Sequence, residues 1–292
     1  MDMKVTSLSE KAMLVKLTMR RANLTRRDSV AELVIQQQMD DSSLTVLSKL
    51  FRDKNNPINQ IMTAMSEVYT YHKNHTLPYI DKGPRILPNN LYMEYTQEMR
   101  SRISSVDNLL AKFLPNYDAY VQLDIAYRSK GAGRAKVDDY PTASEFQARM
   151  GFDLRFMPLP DQKHFLFDLS DADVDNFMQA MRDAEVAART DAIGRMLEPL
   201  KHLVDKLNKP IGTDGAIFRD SAIENVAEGL EIARKLMMDT SPELEGVVKE
   251  LDAAVSKYAS NKDWLRESPV VREQAAKKLT DIARQMGAFM GA

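Results

Sequence analysis

The chain has no cysteine among its 292 residues. That one absence excludes structural disulfides, thiolate metal sites and thiol nucleophiles together. A reducing compartment suits such a chain, and the expectation is cytoplasmic, in a bacterium or in a cell infected by a phage. Neither sign of charge is in excess: 40 Lys and Arg stand against 42 Asp and Glu, a formal net charge of -2. This balance supplies no long-range attraction to nucleic acid or to an anionic membrane, although a local basic patch remains compatible with it. No run of about 18 apolar residues occurs, so no membrane span is expected. The opening Met-Asp-Met-Lys-Val-Thr-Ser lacks the basic start and apolar stretch of a signal peptide.

Catalytic signatures are also missing. No Gly-x-Ser-x-Gly elbow, no GxxxxGK[ST] loop and no HExxH pair is present. The four histidines are His72, His75, His164 and His202, and no acidic neighbour completes a site around the His72/His75 pair. Asp171, Asp173 and Asp175 alternate as in a calcium loop but lack its glycine and distal glutamate, so they read as acidic residues in a first helical turn. The expectation is a chain with no catalytic residue, no metal and no cofactor.

What the sequence does contain is hydrophobic periodicity. The content of 44% hydrophobic and 28% charged residues is that of a globular protein long enough to bury a core. The 18 methionines suit an adaptable core. Lys11 to Arg20 reads as a strand with Met13, Val15, Leu17 and Met19 on one face. A short helix is expected near Asp28, carrying Val30, Leu33 and Val34. Residues 40 to 56 are polar and irregular around a small cluster at Leu44, Val46, Leu47 and Leu50. Asn56 and Pro57 open a helix whose stripe is Ile58, Ile61, Met62, Met65, Val68, Tyr69 and His72. A stiff loop over 76 to 90, with Pro78, Pro84 and Pro88, separates it from a longer helix that Pro115 should kink or break. Thr142 with Glu145 forms a capping box, and Phe152, Leu154 and Phe156 alternate as a second strand.

The second half reads as helical throughout. A long helix opens at Ser170 and is interrupted by Pro199. Ser221 with Glu224 suggests a further capping box, and Ser241-Pro242 and Ser268-Pro269 start two more helices. Trp264, the only tryptophan, is placed to pin the loop between the last two. The fold class is therefore mainly α: an α+β N-terminal half with a small antiparallel sheet over 1–168, and a C-terminal helical bundle over 169–292.

Two segments are candidates for binding. The loop of 76 to 90 displays Tyr79, Asp81, Lys82 and Arg85 on a rigid connection. The glycine-containing stretch from 128 to 136 offers Arg128, Lys130, Arg134 and Lys136 as phosphate contacts. Arg20, Arg21, Arg26 and Arg27 make a further basic cluster. Tyr92, Tyr95, Tyr117, Tyr120 and Tyr127, near basic residues, would suit stacking on single-stranded DNA in phage replication or recombination.

Three blocks, HxxTLPYIDKGPRILPNNLYMEYTQEM, YPTASEFQARMGFDLRFMPLP and FRDSAIENVAEGLEIARKL, together resemble an uncharacterised family of bacterial and phage proteins, domain of unknown function 3150. Residues 40 to 57 depart most from its pattern. Members of that family tend to be encoded near a MoxR-type AAA+ ATPase and a von Willebrand factor A domain protein, so the resemblance implies a partner or client of ATPase-driven remodelling. The long amphipathic helices, abundant methionine and absence of catalytic groupings point to a non-enzymatic interaction or scaffold protein. The expected partner is such an AAA+ ATPase or, for a self-assembling scaffold, a second copy, and no catalytic residue carries over from the family.

Overall fold

A computed structural model describes residues 8–39, 41–80, 83–129, 135–160, 171–209, 219–238 and 240–290. Asp81, Lys82, Lys130, Arg134 and Ser170 lie outside the described residues. The elements run in the order α1 (Leu8–Lys11), β1 (Ala12–Arg20), β2 (Thr25–Arg27), α2 (Ser29–Met39), β3 (Leu47–Lys49), α3 (Ile58–Asn74) and β4 (Arg85–Pro88). They continue with α4 (Tyr92–Phe113), α5 (Tyr117–Ser129), α6 (Ala143–Ala148), β5 (Gly151–Pro158) and α7 (Asp171–Leu207). The chain closes with α8 (Ser221–Leu236), α9 (Pro242–Ala259), α10 (Lys262–Glu267) and α11 (Pro269–Ala288). It is mainly helical, with a three-stranded antiparallel sheet of order β4-β1-β5 and a separate two-stranded antiparallel sheet, β2-β3, whose strands are connected through α2.

Local chemistry accounts for most boundaries. Asn56 accepts from the Ile58 amide at 3.0 Å, which caps α3. Thr142 and Glu145 close the expected capping box on α6. Ser241 and Ser268 cap α9 and α11, each followed by a proline whose missing N–H costs nothing in the first turn. Pro115 ends α4 in a single 3₁₀ turn, and α5 begins directly after it. At Ser221 the expected box does not form: Asp220 occupies the cap position with helical dihedrals and no side-chain cap bond. Asp220 instead pairs with Arg266 and Lys262.

The loop expected over 76 to 90 contains a strand. Leu14 sits opposite Ile86 in the β1-β4 ladder, while Leu77 and Ile86 exchange backbone bonds of 2.8 and 2.9 Å on the other edge. Ile86 and Leu87 are fully buried, and burying them leaves backbone groups that only a ladder satisfies.

The chain forms two compact units, and they do not divide at one point in the sequence. One comprises Met1–Lys16, Lys73–Tyr95 and Arg155–Ala292; the other comprises Leu17–His72 and Thr96–Leu154. In the first, α7, α8, α9 and α11 close a ring in which each packs on the next. Their stripes supply one core, including Ile193, Leu200, Leu230, Leu251, Leu279 and Ile282. The pin between the last two long helices is Leu265, fully buried, and not Trp264, which is half exposed. In the second unit Phe51, Phe113, Tyr117 and Phe146 build an aromatic core. Phe51 lies edge-on to Phe113 at 6.3 Å and to Tyr117 at 6.1 Å.

Pro199 does not interrupt α7, which runs unbroken for 37 residues. A proline removes the N–H that would bond the carbonyl four residues back, here that of Arg195. α8 approaches α7 at this place through Gly229. A Cβ on residue 229 would collide with the Arg195 carbonyl oxygen and touch Pro199 Cγ at 3.5 Å. The glycine thus lets a second helix cover the exposed carbonyl. We expect Gly229→Ala to destabilise the protein although alanine is the better helix former by about 1 kcal/mol, because overpacking costs typically about 1–3 kcal/mol. A urea-unfolding midpoint that stays put or rises in this variant would refute the close-approach argument.

Candidate functional site

The most informative surface in the second unit is α2. Its sequence, SVAELVIQQQM, contains one charged residue, Glu32, and that residue is buried. Glu32 takes a bidentate pair from Arg27, at 2.8 Å from Nε, and accepts the Val46 amide at 3.3 Å. Gln36, one turn on, donates to the Leu44 carbonyl at 2.7 Å and to that of Ser42 at 3.2 Å. Asp28 donates its amide to the Val46 carbonyl at 2.8 Å. Glu32 and Gln36 therefore face inward, beside the partly buried Ala31 and Ile35. Facing out are Val30, Leu33 and Val34, 47%, 59% and 50% exposed, at the i, i+3, i+4 spacing of a single ridge. Arg27 holds the Glu32 carboxyl below its ordinary range, mainly through the hydrogen bond, against the opposing effect of burial. The sequence places these three residues on a helix; that they face solvent follows from Glu32 and Gln36 taking the inward side.

The expected binding residues of the 76 to 90 loop fall out differently. Tyr79 donates to Met181 Sδ at 3.6 Å. Arg85 donates from Nε to Thr76 Oγ1 at 2.6 Å and from its second amine to the Thr76 carbonyl at 2.9 Å. Arg195 on α7 reaches the same place, bonding the Lys73 and Thr76 carbonyls at 3.0 and 2.8 Å and also that of Asn74. Two guanidinium groups thus cover the last carbonyls of α3, where the helix dipole favours positive charge. Beside them runs an open groove of about 780 Å³ between α7 and α8, lined among others by Lys73, Arg195, Glu198, His202, Lys206 and Glu228. Sequence reasoning passed over His202. The signal was the polar stripe Asp191, Arg195, Glu198, His202 and Lys206 on α7.

Of the expected phosphate contacts, Arg128 is an internal residue. It occupies the last turn of α5 with its side chain 1% exposed, and donates from Nε to Asp124 at 2.9 Å. It also bonds Ser48 Oγ at 3.0 Å and the Lys49 carbonyl. With its guanidinium filled by three internal acceptors, it has none of its charge on display for a phosphate. The described member Lys136 precedes a 3₁₀ turn and donates its backbone amide to Asp139 at 2.7 Å. Of Arg20, Arg21, Arg26 and Arg27, the last two are committed to pairs with Asp28, Asp139 and Glu32. The tyrosines are also largely spent on packing. Tyr95 and Tyr117 are buried, Tyr92 meets Phe156 edge-on at 5.3 Å, and Tyr120 stacks on Phe113 at 4.9 Å. Tyr127, about half exposed, stands at the surface.

Among the described residues no group of three or more His, Cys, Asp or Glu could hold a metal ion, and no helix is long and apolar enough to cross a membrane. The buried ionisable cluster is Asp124, Arg128 and Tyr140. One oxygen of Asp124 accepts the Arg52 amide at 2.8 Å. The other accepts the Phe51 amide at 2.8 Å, Arg128 at 2.9 Å and the Tyr140 hydroxyl at 2.5 Å. Burial pushes this carboxyl up, but the four donors outweigh it and hold the group below the usual carboxylate range. The Tyr140 hydroxyl is pushed up by burial and by its bond to Asp124, and burial lifts Tyr117 to about 12. Phe51, which Asp124 grips, has φ 52°, a left-handed conformation that a bulky residue holds only under constraint.

Because its folded value is lowered, Asp124 contributes stability above the unfolded-chain value of about 3.9, lost as pH falls through the folded value. Asp124→Asn should cost about 3–5 kcal/mol near neutrality, since it leaves Arg128 buried without its counter-charge. The variant should also flatten the decline of stability with acid, as read by denaturant midpoints across the acid range. A variant that is as stable as the parent, or declines equally steeply with acid, would exclude this role. No family model, no curated protein and no solved structure matches this chain.

Proposed function

We propose that the chain is a non-enzymatic interaction protein of the bacterial or phage-infected cytoplasm, and that it engages protein surfaces through the outward ridge of α2. The observation that carries this reading is the inversion of α2. Exposing Val30, Leu33 and Val34 forgoes part of the roughly 1.5–3 kcal/mol that burying each such side chain supplies. Meanwhile the buried Glu32 needs the Arg27 pair and the Val46 amide to offset its desolvation. A soluble helix oriented this way gains most when a partner covers the ridge. The family resemblance adds one partner class, a MoxR-type AAA+ ATPase; a further copy of the chain is the other partner that long amphipathic helices and abundant methionine suggest. Contact with single-stranded DNA has less to rest on, since Arg128 and most of the tyrosines are engaged inside the protein.

A benzophenone amino acid at position 33, irradiated in the native cell, should yield a covalent protein adduct. The same group at Leu123, an equally exposed site on α5, serves as the comparison. No adduct at 33 above the yield at 123 would remove the interaction reading, and the mass of an adduct would tell a second copy from an ATPase subunit.

A further inference from the structure

We infer that the groove between α7 and α8 holds an extended acidic peptide segment of a partner protein, at a second site that does not depend on the α2 ridge. Its described lining residues all belong to the first unit. They include four fixed cations, Lys73, Arg85, Arg195 and Lys206, and three carboxylates, Asp191, Glu198 and Glu228. Two of the carboxylates are already committed, Asp191 to Arg195 at 2.6 Å and Glu198 to Lys201 at 3.2 Å. The ammonium groups of Lys73 and Lys206, by contrast, take no carboxylate partner among the described residues. Arg85 and Arg195 both donate to the Lys73 carbonyl, at 3.5 and 3.0 Å, which brings three cationic residues to one end of the groove. The other end has His202 and Lys206, one turn apart where α7 finishes.

The spacing of these ends selects the ligand. From Arg195 to Lys206 is about 16 Å, at roughly 1.5 Å of rise per helical residue. An extended peptide covers that length in about five residues, at roughly 3.3 Å each. Acidic side chains toward its two ends then meet the two groups of cations. Asn74 and Asn225 also line the groove, and their amides both donate and accept, as the peptide groups in between require. Pro199, Leu203 and Ile232 add apolar surface, and a volume of about 780 Å³ is that of a binding cleft. Other ligands fit the chemistry less well. No Trp, Tyr or Phe is among the described lining residues, so a nucleobase has no ring to stack on. A compact anion such as inorganic phosphate fills one end and leaves the other unpaired. A basic segment meets the uncommitted cations as like charges.

Fluorescence anisotropy of fluorescein-labelled hexaglutamate, titrated with the whole chain at low salt, tests this. Binding should saturate below about 1 mM and weaken as salt is added. Lys73→Gln and Lys206→Gln should each weaken it by about tenfold. Lys277→Gln, which removes an exposed lysine on α11 outside the groove, should leave it unchanged. Glu228→Gln should tighten binding, because it removes the one uncommitted carboxylate of the lining, and a loss of folding cannot mimic that gain. Three results would overturn the inference. These are an absence of saturation, a loss at Lys277→Gln equal to that at Lys73 and Lys206, and weaker binding in Glu228→Gln. A fourth is displacement of the probe by inorganic phosphate as readily as by unlabelled hexaglutamate, which marks a compact-anion site instead. None of these outcomes bears on cross-linking at position 33, so either site can fail alone.

Discussion

The carboxylate of Asp124 is the point on which the second unit depends. It fixes the Phe51 and Arg52 amides, and so holds a fully buried phenylalanine in a left-handed backbone conformation. The same group orients Arg128, whose remaining donors bind Ser48 and the Lys49 carbonyl on β3. β3 pairs with β2 in a two-stranded sheet, and Val46, just before it, bonds both Asp28 and Glu32. The path runs from a buried carboxylate, through an arginine and a short two-stranded sheet, to the helix that displays the apolar ridge. The orientation of α2 is thus set from inside the unit, by hydrogen bonds that a hydrophobic core could not supply.

Such a design has an energetic cost. Buried ion pairs contribute little net stability, because desolvation of both charges offsets their attraction. Burying Glu32 and half-burying Gln36 under α2 while leaving Val30, Leu33 and Val34 outside reverses the order that hydrophobic burial favours. The specificity of hydrogen bonds is what the arrangement gains: Glu32 and Gln36 fit one rotation of the helix, whereas valines and leucines would tolerate several.

Much of this was legible in the sequence where short-range chemistry decides. Asn56, Thr142, Ser241 and Ser268 announce helix starts because a cap is a contact between residues two or three apart. Pro115 divides α4 from α5 as its missing donor requires. The same logic failed at Pro199, since the compensating partner, Gly229, is thirty positions away and no local pattern reveals it. It failed again over 76 to 90, where prolines suggested a loop and the ladder to β1 made a strand. Residues 40 to 57 look like a polar insertion, yet they contain Leu50 and Phe51, both buried, and the strand β3. Periodicity located α2, but the direction of its apolar side depends on Arg27 and Val46, which periodicity does not weigh.

The arginines follow one rule that links both units to the functional reading. Arg85 and Arg195 cover the carbonyls of Lys73, in the last turn of α3, and of Thr76 just past it. Arg272, in the first turn of α11, bonds the Leu207 carbonyl at 3.0 Å and also that of Lys206, the end of α7. Arg128 reaches the Lys49 carbonyl at the end of β3. In each case a planar fork of fixed donors meets backbone oxygens that would otherwise be stranded, a task to which the ammonium of lysine is poorly shaped. Burial pushes the Arg272 guanidinium down, and it is a backbone cap rather than a surface charge. A sequence count credits all these side chains to the basic surface, and the structure withdraws them from it. What stays outward on α2 is Val30, Leu33 and Val34, an uncharged ridge with nothing to pair with a phosphate backbone.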